Sequence, residues 1–208
     1  MKPHLVLIHP APNKNRFGNK RRRKSSIAPL TLPLLAGLAV ERFRVTIHDE
    51  DIEDLPDHID ADFIGITAIT PQAYRAYEIA DCFRNRGIPV ILGGLHPSFF
   101  PDEAGGHADA VVIGEVETVW PDLEADMLAG NLKSRYISTV RHDLKGLPMS
   151  RQNLLKEGAY SFPNTIMASR GCPYDCDYCS VTQYWGKSYR FRPVAEVIAE
   201  LSTMPHNH

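Results

Sequence analysis

The sequence predicts a doubly wound α/β domain with a parallel sheet, followed by the opening segment of a second domain. Short, nearly continuous apolar strands alternate with segments of helical period, and glycine or other small residues follow several of the strands. A sheet with one solvated face would show strict apolar–polar alternation, so near-continuous runs imply helices on both faces and parallel pairing. A chain of 208 residues suits one full domain plus part of a second.

Leu5-Val6-Leu7-Ile8 reads as a buried first strand stopped by His9-Pro10, and a long polar loop follows. Pro29 to Phe43 carries Leu30, Leu34, Leu35, Leu38 and Val40 near helical spacing, with Pro33 early enough to sit in a first turn. Val45-Thr46-Ile47 is a second strand and Asp62 to Thr67 a third. Pro71 to Arg86 forms a helix closed by Gly87, and Pro89 to Leu92 a fourth strand that runs into Gly93-Gly94. Ala110 to Ile113 gives a fifth strand, and Trp120 to Leu128 a helix ended by Gly130. Residues 131–163 show no sustained periodicity, and Leu147-Pro148 and Phe162-Pro163 mark them as a connector. Thr165 to Ala168 then reads as a strand, a cysteine-rich loop follows, and Val194 to Leu201 begins a helix. This gives a domain at 1–145, a linker at 146–163 and a second unit at 164–208, too short to bury a core of its own. An unpaired strand edge would leave that unit open to proteases.

With 43% hydrophobic and 23% charged residues the composition is that of a soluble globular protein, which excludes disorder and collagen-like repetition. No apolar run reaches the ~20 residues of a membrane span, and the apolar run at 5–8 is too short for a signal peptide, so a cytoplasmic protein is expected. The net charge of -2 hides an asymmetry: residues 14–24 hold seven cations, and the remaining 16 face 25 acids. The run Lys20 to Lys24 is either a solvated surface loop or an anion and nucleic-acid contact, and the lack of interleaved aromatics argues against nucleic acid.

In a doubly wound sheet, ligands sit at the carboxyl ends of the strands. The loops there begin with Thr67 and Ala68 after the third strand, run through Gly93, Gly94 and His96 after the fourth, and through Gly114 and Glu115 after the fifth. His96 either faces a ligand or caps a turn before Pro97. Cys82, among apolar residues of the Pro71–Arg86 helix, reads as a buried structural thiol.

Three of the four cysteines lie in Arg170-Gly171-Cys172-Pro173-Tyr174-Asp175-Cys176-Asp177-Tyr178-Cys179. In a reducing compartment such crowding favours metal ligation over disulfides. The C-x3-C-x2-C spacing can hold three irons of a cubic iron–sulfur cluster and leave the fourth open to a small ligand. A zinc site completed by His206 or His208, or plain buried thiols, remain as alternatives. Zinc sites generally carry paired halves, and no second half is present.

A cysteine loop directly after a strand, with an aromatic before the last cysteine, resembles the radical S-adenosylmethionine superfamily. The resemblance implies that Cys172, Cys176 and Cys179 hold a 4Fe-4S cluster, that its open iron chelates S-adenosylmethionine, and that Tyr178 packs near the adenine. The N-terminal pattern, with Gly-Gly-Leu-His-Pro at 93–97, Asp-Ala-Val-Val-Ile-Gly-Glu at 109–115 and Trp120-Pro121, is similar to the Rossmann-like cobalamin-binding domain of cobalamin-dependent members. On that resemblance Thr67, Ala68, Gly93, Gly94, His96, Gly114 and Glu115 form the cobalamin face. Residues 164–208 would be the first strand, cluster loop and first helix of a TIM-type barrel. The D-x-H-x-x-G motif of many cobalamin domains is absent, which implies cobalamin without a histidine lower ligand. The lone Cys82 separates the chain from tRNA-methylthiolating relatives, which carry a second cysteine set in this domain.

In the family one electron, from a donor such as flavodoxin or ferredoxin, cleaves S-adenosylmethionine to a 5′-deoxyadenosyl radical, and methylcobalamin delivers a methyl group. The expected substrate is a small molecule or lipid. A full barrel needs about 200 residues or more, so the chain is expected to be a fragment of a longer enzyme. The alternative is a non-catalytic cobalamin- or metal-binding module.

Overall fold

The computed structural model describes residues 1–12 and 25–204. The basic run at 20–24 and His206 and His208 lie outside the described residues. Strands β1 (His4–His9), β3 (Arg44–Asp49), β4 (Phe63–Thr67), β5 (Val90–Gly93), β6 (Ala110–Ile113) and β7 (Arg135–Ile137) form one sheet. Its order is β3-β1-β4-β5-β6-β7, and every pairing is parallel. The order reverses at β1, which pairs with β3 on one side and β4 on the other, as in a doubly wound fold.

Side-chain alternation along these strands divides the core in two. Val6, Ile8, Ile64, Ile66, Val90 and Leu92 point to one face. There they pack on Ala76, Ile79, Ala80 and Phe83 of α2 (Ala73–Arg84). Leu5, Leu7, Ile91 and Val112 point to the other face. They meet Leu32, Ala36 and Ala39 of α1 (Thr31–Ala39) and Leu123 and Met127 of α5 (Trp120–Ala129). Two short helices, α3 (Leu95–Phe99) and α4 (Pro101–Gly105), turn the chain between β5 and β6. Pro121 begins α5 without sacrificing an intrahelical hydrogen bond, and Gly130 at φ +68° closes it in the left-handed conformation.

The five strands expected from apolar runs are all present. Residues 131–163 depart from a plain connector. They supply β7 as the sixth strand of the sheet, and β8 (Tyr160–Phe162), which pairs in parallel with β2 (Ser25–Ile27). Tyr160 is buried against Ala28, Ile52 and Ala159, and its hydroxyl donates to Asp49 at 2.8 Å.

The expected strand Thr165–Ala168 does not form. With no strand beside it, the segment packs one side chain instead: Met167 is buried among Leu34, Leu144 and Leu147. Its backbone is satisfied locally. The Arg192 N–H donates to the Ala168 carbonyl at 2.9 Å, and the Gln152 side chain donates to the Thr165 carbonyl. The paired residues come just after, as β9 (Ser169–Arg170) and β10 (Arg190–Phe191) in a two-stranded antiparallel stem. Between them α6 (Val181–Trp185) follows the cysteine loop, and α7 (Val194–Leu201) comes last. The C-terminal unit is therefore bound to the sheet domain rather than standing open as its edge strand implied.

Candidate cofactor cavity and cysteine loop

A cavity of about 430 Å³ opens over the carboxyl ends of β4, β5 and β6, on the face covered by α1 and α5. It lies within the usual size range of small-molecule clefts and is lined mainly by apolar side chains. Its floor is Leu5, Leu7, Gly65, Ile91 and Val112, and Trp120 and Met127 form part of a wall. Gly65 keeps the floor low, since a Cβ there would lie 2.8 Å from Leu7 Cδ2. At the rim Gly94 has φ +98°, and a Cβ would lie 2.7 Å from Thr67 Oγ1 and 2.9 Å from the Ala68 carbonyl oxygen. Only glycine fits there without moving backbone. The opposite rim comes from the C-terminal unit, through Ser169, Arg170, Gly171, Tyr184 and Trp185.

Of the residues expected on a cofactor face, the structure brings Thr67, Gly93, Gly94, Gly114 and Glu115 onto this cavity. Ala68 and His96 do not line it. Ala68 is buried behind the rim, where its carbonyl accepts from the His96 N–H at 3.0 Å. The His96 ring is 5% exposed and turned toward α2. Its Nε2 lies 3.0 Å from the Tyr77 hydroxyl and its Nδ1 3.3 Å from Thr70 Oγ1, and the ring packs on Phe100 at 4.8 Å between centroids. These contacts give it a packing role toward α2, which is neither the ligand contact nor the turn cap weighed above. Gly65 and Met127 were not singled out in the sequence, although a glycine inside an apolar strand does signal a close approach.

Cys172 and Cys179 are half-buried and Cys176 is exposed, and all three are free thiols. The Cys172 N–H donates to the Gly186 carbonyl at 3.2 Å, and the Cys179 N–H to the Cys176 carbonyl at 3.0 Å, so the loop is turned on itself. Tyr178 is 92% exposed and packs on nothing. Cys82 is exposed, which corrects the buried thiol expected. The buried stripe of α2 runs through Ala76, Ile79, Ala80 and Phe83, and Cys82 falls off it.

At the carboxyl ends of β1 and β3, His9, Asp49 and Asp51 bring ligand atoms within 4.8 Å of one another, alone in doing so among the described residues. Burial would lower the His9 pKa, but the hydrogen bond that its ring donates to Asp51 and the charges of Asp49, Asp51 and Glu50 outweigh it and raise the pKa above the ordinary value. Gln72 Nε2 lies 2.8 Å from His9 Nε2 and donates to the Pro10 carbonyl, which ties the loop after β1 to α2.

The cavity's polar rim is ionic. Arg170 Nη1 donates to Glu115 at 3.2 Å and its Nη2 to Glu117, while Arg190 donates to both carboxylate oxygens of Glu115, at 2.6 and 2.9 Å. Burial raises the Glu117 pKa on its own, but the hydrogen bond and charge of Arg170 prevail and hold it below the ordinary 4.5. Glu200 on α7 is also held low: burial opposes this, and hydrogen bonds from Ser150 and Arg192 overcome it. A depressed carboxylate contributes stability above its unfolded pKa and loses it as pH falls through the folded one. The C-terminal unit should therefore loosen below the ordinary glutamate value of 4.5 while the sheet persists. Trp185 fluorescence against far-UV circular dichroism in an acid titration checks this, and coincident transitions would refute it.

A model of the B12 binding domain matches residues 27–135, from the end of β2 to the start of β7. The chain belongs to the B12-binding domain family. Curated relatives match over a larger share of the chain. It is 39% identical over 170 residues to bacteriochlorophyllide d C-8(2)-methyltransferase of Chlorobaculum tepidum, covering 77% of this chain and 37% of that protein. Bacteriochlorophyllide d C-12(1)-methyltransferase of the same organism is 36% identical over 184 residues, 83% of this chain and 39% of that one. An uncharacterized methyltransferase of Pyrococcus horikoshii is 30% identical, covering 86% and 46%. The chain thus spans about two fifths of the length of these curated relatives. Among the described residues no helix is long and apolar enough to cross a membrane.

Proposed function

We propose that this chain is the cobalamin-binding and cluster-bearing part of a cytoplasmic radical S-adenosylmethionine methyltransferase acting on a small-molecule or lipid substrate. The observation that carries the reading is a single cavity whose one rim is the glycine edge of a B12-binding sheet and whose other rim is the stem of a three-cysteine loop. The residues suit both groups. A cobalamin would meet an apolar floor kept low by Gly65 and a rim turned at Gly94, where the positive φ and the closeness of Thr67 and Ala68 admit only glycine. Three free thiols, soft ligands by chemistry, stand within eight residues at an exposed loop where an iron–sulfur cluster can enter.

When bound, the cluster with S-adenosylmethionine would supply a carbon-centred radical, and cobalamin the methyl group. The chain's own residues bind and orient. Thr67, Gly93, Gly94 and Gly114 form the edge that would hold the cofactor, and Leu5, Leu7, Ile91 and Val112 would keep water from the space they line. Tyr184 closes the far side: its hydroxyl donates to the Gly114 carbonyl at 3.0 Å, and burial pushes its pKa up to about 12, so it stays a neutral donor. Tyr178, fully accessible beside Cys179, is free to cover the adenine of S-adenosylmethionine. The names of the relatives point to a tetrapyrrole among small-molecule substrates. The electron would come from a donor such as flavodoxin or ferredoxin.

Anaerobic reconstitution with iron, sulfide and methylcobalamin tests the reading. About four irons per chain and a saturable change in the cobalamin spectrum are expected, with no histidine nitrogen on cobalt. Stoichiometric zinc without iron, or a folded chain whose spectrum with cobalamin never departs from the free cofactor's, would overturn it.

A further inference from the structure

We propose that Glu115, Glu117, Arg170 and Arg190 form a positioning clamp that fixes the cysteine loop at one distance and orientation from the cofactor cavity. This rests on the functional reading above and adds the device that would hold its two cofactors in register.

The cysteine loop leaves through β9 and returns through β10, and in that stem Arg170 and Arg190 are directly opposed. Both guanidiniums reach the same carboxylate. Glu115 accepts from Arg170 at 3.2 Å and from both Nη atoms of Arg190, and Glu117 takes the other arm of Arg170. The two glutamates belong to the loop that follows β6 and lines the cavity rim at Gly114. The side chains of all four are at most 15% exposed. Arg170 also lies over the Trp185 ring at 4.8 Å, and Arg190 Nη2 donates to the Trp185 carbonyl at 2.9 Å, so the return of the loop is gripped as well.

Stability alone is a poor reason for this arrangement. Burying four charges costs desolvation that an apolar contact of the same size avoids. Here two like charges share one carboxylate, and Arg190 Nε is left buried without a partner. What paired guanidinium–carboxylate forks provide is directional geometry. Arg170 is two residues before Cys172, so the orientation the fork sets is passed to the loop with little slack.

The test needs no cofactor. Nitroxide labels on the exposed Cys82 and Cys176, in the full chain carrying Cys172→Ser and Cys179→Ser, report the loop's position relative to α2 by pulsed dipolar spectroscopy. One narrow distance band is expected. Glu115→Gln, and separately Arg190→Lys, should at least double its width while the far-UV circular dichroism keeps its native shape. Lysine retains the charge but not the fork, so a band of unchanged width in Arg190→Lys overturns positioning by the fork. Unchanged width in both variants overturns the clamp altogether. If the band widens while the unlabelled chain with all its cysteines binds neither cobalamin nor iron, the clamp stands and the functional reading falls. In protein loaded with both cofactors, the coupling between cobalt(II) and the reduced cluster should broaden in the same variants.

Discussion

Alanine at any one of Cys172, Cys176 or Cys179 is expected to take the iron of the reconstituted chain from about four per chain to background, whereas Cys82→Ala should leave it unchanged. A cluster held by three thiolates has none in reserve, and the fourth cysteine is on α2, outside the loop. The neighbouring Asp175 and Asp177 are hard oxygen ligands and poor replacements for thiolate. Folding should be unaffected, because the side chains are partly or fully exposed. The metal count also separates this from the zinc alternative, which would give one zinc and no iron. Iron and sulfide analysis with metal counting on all four variants is the measurement. Retention of iron in two or more of the three loop variants would show that the loop is not the cluster site.

The sheet was legible because its central strands are buried on both faces and read as apolar runs that need no knowledge of their partners. β7 was not. Arg135-Tyr136-Ile137 has one buried residue between two exposed ones, and its strand character comes from pairing with β6. The run Thr165–Ala168 misled for the converse reason: its apolar content reflects the one buried side chain, Met167, and does not tell whether a strand lies beside it. Gly93, Gly94 and Gly114, expected on a ligand face because glycine after a strand marks a place where backbone can be approached, line the cavity. Glu115 lines it too, but its partners lie 55 and 75 residues further on, and no local pattern announces so distant a pairing. Cys82 was misread by attending to its neighbours' polarity instead of the 3.6-residue period of α2.

Replacing Arg192 by alanine should lower the free energy of unfolding by about 3–5 kcal/mol, the usual cost of stranding one member of a buried ion pair. Arg192 is 4% exposed and Glu200 2%. The Arg192 guanidinium donates to Glu200 and, at 3.3 Å, to the Met167 carbonyl. Glu200 also accepts from the backbone N–H and the hydroxyl of Ser150. One pair therefore ties α7, the segment before the cysteine loop and the chain after β7 together, and alanine would leave a buried carboxylate facing only Ser150. Combining Arg192→Met with Glu200→Gln removes both charges while an amide oxygen remains for Ser150, so the double variant should regain most of the loss. Denaturant unfolding followed by Trp fluorescence and far-UV circular dichroism gives both values. A loss near 3–5 kcal/mol in both probes means that α7 and the sheet unfold as one cooperative unit. Loss confined to the fluorescence transition would mean that the C-terminal unit opens by itself. In that case the contacts made by Arg192 and Glu200 hold the unit in place without being part of the sheet domain's stability.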